Sequence, residues 1–429
     1  MTRAFVIVGT VRVVVVAAVV GAPWLVRHGA FATTATPVGA RAITLPSAAI
    51  ALTVDPRTGH AFIALEPTAR GGANVVALVD VRRRVVLRIV TVGLNPNAIA
   101  IDARTRRVFV SCSGPLRQDG YEPRGKGSIS VLDADTGRLV RTERGVHYPD
   151  QLAVDEASGR VFVLNLHRVL PMESSALTPV NRDTLTLLDA RDGRLLRVLA
   201  PGAPGVENYP SLGVDEALGR VFIFLENGSV RTLDARTGAT LRTTRIPSGD
   251  QYDFYTLFID RFRHRVVVSG TGSDPAFITF IDGRTGAIPV DEGPPPEVEH
   301  GTVDAVDGVH GRAVFIDAYH GGSREYSTQS AYVLDTRTGR VIGTVGLGST
   351  PQGTPGPEGV AVDERTGRAY IKTTRGLAVV DDRSGHIVRH VPVGANSSLM
   401  VSDGSARSLL LLSNVGHTTT LTILDTSHL

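Results

Sequence analysis

One phrase recurs along the chain: VDPRTGHAFI from Val54, VDEASGRVFV from Val154, VDEALGRVFI from Val214 and VDERTGRAYI from Val362, with a cousin, LDTRTGRVIG, from Leu334. Each copy runs from an apolar stretch through an acidic turn back to an apolar stretch. A unit that cannot bury its apolar faces alone must stack on copies of itself. Aligned on these turns, the acids form two series. The first is Asp55, Asp102, Asp155, Asp215, Asp260, Asp307, Asp363 and Asp403. The second falls between them: Asp80, Asp133, Asp189, Asp234, Asp282, Asp335, Asp381 and Asp425. The unit recurs every ~40 to 60 residues, the period of propeller blades.

Each unit parses into four strands. In the second, NAIAID is a strand, ARTR a turn and RVFVSC a strand; SISVLD, ADTG and RLVRTE follow after a longer loop. Val, Ile, Leu and Phe fill the runs, and Gly or Asp mark their ends. In Asp-x-x-Thr-Gly the acid caps backbone N–H groups of the turn, and Gly supplies the left-handed residue that closes it. The turn acids are therefore structural, and both turns of a unit fall on one edge of its sheet. These features predict an all-β chain, a β-propeller of four-stranded antiparallel blades. Eight blades are counted; the irregular sixth and eighth units leave seven as the alternative. The chain stops after a third strand, TLTILD, while ARAITLP at residues 40–46 resembles a lone fourth strand, so an N-terminal strand is expected to close the ring.

The stretch before residue 33 differs from all that follows. Arg3 and Arg12 precede an apolar run over residues 13–26, and AFA at 30–32 resembles a small-x-small cleavage site. Residues 1–32 read as a signal peptide or an N-terminal membrane anchor, with 33–39 a linker and 40–429 the propeller. The propeller is then expected outside the cytoplasm: periplasmic, secreted or held at the membrane by that segment alone. Cys112 is the single cysteine, so neither an internal disulfide nor a cysteine-based metal site can form. A net charge of +3 without a basic run argues against nucleic-acid binding.

VDERTGRAYI, continued by GLAVVDDRSGHIVRHVPVG, resembles the YVTN-type β-propeller repeats of bacterial and archaeal extracytoplasmic proteins, also called YncE-like. The resemblance spans nearly the whole chain after about residue 40 and implies a propeller without fixing an activity. The eponymous strand ending is poorly kept; VFVLN at residues 161–165 is nearest. The LDARTG phrases also resemble quinoprotein propellers, which dock each blade with a late Trp. Trp24, in the leader, is the only tryptophan here, which counts against a quinone cofactor.

With the short turns at one pole, the irregular segments gather at the other, where propellers bind. Candidate ligand-binding residues there are His147, Tyr148, Asp150, Glu207, Tyr209, Gln251, Tyr252 and Asp253 on links between blades. Asn165, His167, Asp317, Tyr319, His320 and Lys372 join them from loops within blades. Polar and aromatic side chains converging from several blades suit a protein, glycan or small-molecule ligand. No cofactor is predicted; a divalent ion would draw on Glu297, Glu299, His300, Asp317 and His320. The alternative to a binding module is a metal- or His-assisted hydrolase or lyase, such as a lactonase, with His147 or His320 as base. No nucleophile elbow, HExxH or phosphate loop supports it.

Overall fold

The computed structural model describes residues 2–9, 12–19, 41–66, 74–115, 125–165, 184–200, 211–225, 227–246, 254–271, 277–288, 301–318, 326–351, 359–373, 375–393, 397–404, 407–415 and 418–429. The repeat phrase builds eight antiparallel sheets that succeed one another along the chain. Their inner strands are Ala49–Asp55, Pro96–Asp102, Pro149–Asp155, Ser211–Asp215, Phe254–Asp260, Gly301–Asp307, Val360–Asp363 and Ser397–Asp403. Each inner strand packs beside the next, and the eighth packs beside the first, so the sheets are the blades of a closed eight-bladed propeller. The alternative of seven blades is thereby excluded.

Blades 1 to 7 run from their inner strands outward in chain order, as in blade 1: Ala49–Asp55, His60–Leu65, Val75–Asp80 and Val85–Thr91. In blade 5 three strands fall among the described residues. In blade 6 the third and fourth strands, Tyr326–Asp335 and Val341–Pro351, extend into segments whose composition predicts loops. A register shift between Gln329 and Ser330 lets the hairpin continue towards the loop-rich pole.

The partial alternation of the strands has a physical cause. Inner, second and third strands lie between two neighbouring blades, so both of their faces are buried. Phe62 packs into the core shared with Ile99 and Val110 of blade 2. Its neighbours Ala61 and Ile63 point the other way, into the core that includes Leu410 and Leu421 of blade 8. Fourth strands form the rim. There arginines alternate with exposed aliphatics such as Leu87, Ile89, Val198 and Leu241, so the rim is mixed rather than purely charged.

Arg41–Leu45 pairs antiparallel with Thr418–Asp425 as the outer strand of blade 8, closing the ring as the sequence predicts. A polar clasp secures the seam. Thr419 Oγ1 accepts from Ala49 N at 2.7 Å and donates to Ser47 O at 2.8 Å. Further upstream, Thr2–Gly9 and Arg12–Val19 pair as a hairpin whose backbone sets Val15 opposite Ile99. Residues 20–40, which include the expected cleavage site and linker, lie outside the described residues. No helix among the described residues is long and apolar enough to cross a membrane.

Candidate functional site: two poles and a carboxylate–histidine cluster

At the turn pole, the first-series acids end the inner strands and are buried in all eight blades. Those of blades 1 to 7 cap their own turns, and Asp55 accepts from Arg57 N at 3.0 Å and from Thr58 Oγ1 at 2.7 Å. Several also receive a donor from the next blade. Arg106 Nη2 of blade 2 stands 2.7 Å from Asp55, His264 Nδ1 of blade 5 is 2.7 Å from Asp215, and Thr336 Oγ1 of blade 6 donates to Asp260 at 2.5 Å. Burial alone would raise the Asp55 carboxyl; hydrogen bonds from Arg106, Thr58 and the Arg57 amide outweigh it and hold it below the usual carboxylate range. Glutamates beside these acids link backbones around the ring. Glu156 accepts from Ala103 N, Glu216 from Glu156 N, and Glu364 from Gly308 N at 3.1 Å. This pole is knitted together by its own side chains.

At the loop-rich pole, one candidate binding residue, Asp150, bonds across a seam between blades. Asp150 is buried beside Asn97, whose Nδ2 donates to Pro149 O at 2.9 Å, and Ser111 Oγ donates to Asn97 Oδ1 at 2.7 Å. Gln151, one position on and absent from the sequence-based candidates, accepts Leu212 N of blade 4 at 3.0 Å. Asn165 is buried and donates to Thr184 Oγ1 and Thr186 Oγ1 within its own blade. Lys372 is buried, and its Nζ donates to Thr373 O at 2.7 Å. Asp317 is half-buried, pairing in register with Gly301 and Ser330. His147 is exposed, and Tyr148 beside it is half-buried with φ at 23°. These two adjoin the start of blade 3's inner strand. His167, Glu207, Tyr209, Gln251, Tyr252, Asp253, Tyr319 and His320 lie outside the described residues, as do Glu297, Glu299 and His300.

Among the described residues, one group has the donors for a metal ion: Asp307, His310 and Asp382, with ligand atoms all within 4.8 Å of one another. It sits at the turn pole between blades 6 and 7. His310 Nδ1 is 2.9 Å from Asp307 Oδ2 and 4.0 Å from Asp382 Oδ2. Burial first, and then the facing Asp307, pushes the Asp382 carboxyl up, to about 8. Treating every turn acid as structural passes over this group. Two departures from the phrase mark it: DGVHG, with His in place of Thr, and DDRSG, with a second acid.

No protein-family model matches the chain, and no curated protein matches its sequence. The YVTN-type resemblance therefore gains no family match. Solved structures do match, 1479 chains in all, too many for the likeness itself to select an activity. The computationally designed Ika8 protein aligns with a TM-score of 0.58 at 13% identity, over 88% of this chain and 96% of that one. The quinohemoprotein alcohol dehydrogenase from Comamonas testosteroni aligns at 0.57 and 12%, over 90% of this chain and 76% of that one. At such identities the comparisons establish architecture alone: the chain is an all-β, eight-bladed propeller.

Proposed function

We propose that this propeller is an extracytoplasmic binding protein that recognises a protein, glycan or small molecule on its loop-rich pole. The asymmetry between the poles carries the proposal. At one pole, repeated short turns spend their polar groups on one another and on the next blade. The strand ends that carry the long, non-repeating connections lie at the other, together with exposed His147 and half-buried Tyr148. A rigid scaffold that presents irregular loops at one end is suited to recognition. The YVTN-type resemblance and the charged, then apolar, N-terminal segment support a place outside the cytoplasm.

Thermal shift of the full chain against a panel of oligosaccharides, amino acids and short peptides tests the binding role. A compound that raises the melting temperature of the wild type, and does so less in a His147→Ala/Tyr148→Ala variant, is the expected result. A shift unchanged by that pair but abolished by substitutions in the turns would refute the assignment to this pole. The N-terminal mass and cell fraction of the expressed protein test its location.

A further inference from the structure

The blade 6–7 seam departs from the repeat at the residue after the second-series acid. In each blade, the residue after the second-series acid is buried. It is Val81, Ala134, Ala190 and Ala235 in blades 1 to 4, Thr336 in blade 6 and Thr426 in blade 8. At the blade 5–6 seam Thr336 supplies a hydroxyl that donates to the preceding blade's Asp260. Blade 7 puts Asp382 at this position. Turn capping does not need it, because Asp381 already accepts from Arg383 N, Ser384 N and Ser384 Oγ. Where the neighbouring seam has a donor facing an acid, this seam has a second carboxylate facing Asp307.

Asp382 is fully buried, and neither carboxylate oxygen has a hydrogen-bond partner. Its backbone is fixed by the bond from its N–H to Gly367 O at 3.0 Å. A Cβ on Gly367 would lie 2.9 Å from Asp382 Oδ1 and 3.2 Å from His310 Cε1, so only glycine leaves this room. Asp307 accepts from His310 N and faces its Nδ1, but nothing donates to Asp382, and two facing buried carboxylates are stabilised by a shared proton or a cation. His310 supplies what a proton does not need, a third ligand atom on the same side. Its partial exposure, 16% for the side chain, gives an entry path.

We infer that Asp307, His310 and Asp382 form a divalent transition-metal site that staples blade 6 to blade 7. Two carboxylates and an imidazole favour zinc or manganese over calcium or magnesium. Tetrahedral zinc with ligand bonds of ~2.0–2.2 Å keeps its donors roughly 3.3–3.6 Å apart. The 2.9 and 4.0 Å separations at His310 Nδ1 bracket that spacing. Binding carries a requirement at the histidine. Arg383 Nη2 lies 3.0 Å from His310 Nε2, which makes Nε2 the acceptor and leaves the ring proton on Nδ1. A metal at Nδ1 moves that proton to Nε2 and displaces Arg383.

The test is titration of EDTA-treated full-length protein with zinc by calorimetry, with cobalt as a spectroscopic probe. Wild type should bind one saturable equivalent, raise its melting temperature, and give the visible bands of a tetrahedral cobalt site. Asp382→Asn supplies an amide donor to Asp307, so it should fold yet lose both the equivalent and the bands. Arg383→Gln offers an acceptor to Nε2–H and should tighten binding by up to about tenfold, the scale of outer-sphere partners. Absence of a saturable equivalent in wild type would overturn the assignment, as would equal binding by Asp382→Asn. A folded, metal-indifferent wild type would mean that a proton bridges the two carboxylates.

Discussion

Arg106 of blade 2 holds φ at 60° and sets its Nη2 2.7 Å from the buried carboxylate of Asp55 in blade 1. In most turns of this kind the position belongs to glycine; here a left-handed arginine reaches back to the preceding blade and to Asp135 at 2.6 Å. Arg106→Ala removes the cation and leaves Asp55 buried with fewer donors. The expected loss is about 3 kcal/mol by denaturant unfolding, the scale for breaking one partner of a buried pair. The pH dependence has a defined sign. The folded-state pKa of Asp55 is depressed, so its contribution is complete above the unfolded value of about 3.9 and is lost as pH falls through the folded one. The gap between wild type and variant should close in that acidic window.

Left-handed turn positions give two predictions of opposite sign. Gly385 has φ at 68°, and a Cβ there would lie 2.5 Å from Gly343 Cα in the adjacent blade. Gly385→Ala should cost about 2–4 kcal/mol, from the left-handed penalty plus overpacking. Arg84 takes the corresponding place in blade 1 with φ at 59°. Arg84→Gly should gain roughly 0.5–1 kcal/mol once the unfolded-state entropy of glycine is set against the relieved strain. Equal melting temperatures for the two variants would contradict this account of the turns.

The closing seam should depend on one hydroxyl. Thr419→Val removes the acceptor for Ala49 N and the donor to Ser47 O, leaving Asn414 Oδ1 as the other partner of that amide at 3.1 Å. The expected cost is about 1–2 kcal/mol. Hydrogen exchange should speed up first in Arg41–Leu45 and Ala49–Asp55, ahead of the other blades.

Cys112 is buried between blades 1 and 2, and burial pushes its thiol up to about 12. It should resist a thiol-specific disulfide reagent in the folded protein and react stoichiometrically in denaturant. Rapid modification under native conditions would place this strand at the surface.

Much of the fold was legible because the turn phrase has a local cause. Asp55 caps its own turn and Gly59 closes it with φ at 71°, and neither depends on distant residues. The candidate site was legible only as chemistry. Composition marks Asp150, Asn165 and Lys372 as polar residues near the loop-rich pole, but not that Asn97 and Pro149 O stand within bonding distance of one another across two blades. Asp150 therefore serves a seam, and Asn165 braces its own blade. The reverse holds for His310 and Asp382, which a repeat alignment treats as turn variants and the ring brings together across a seam.

The division of labour between the poles is tested most directly by hydrogen–deuterium exchange on the full chain, with and without whichever compound from the oligosaccharide and peptide panel stabilises it. Protection confined to His147, Tyr148 and the irregular connections of the same pole is the predicted result. Protection confined to the Asp-x-x-Thr-Gly turns, with the loop-rich pole unchanged, would contradict the account.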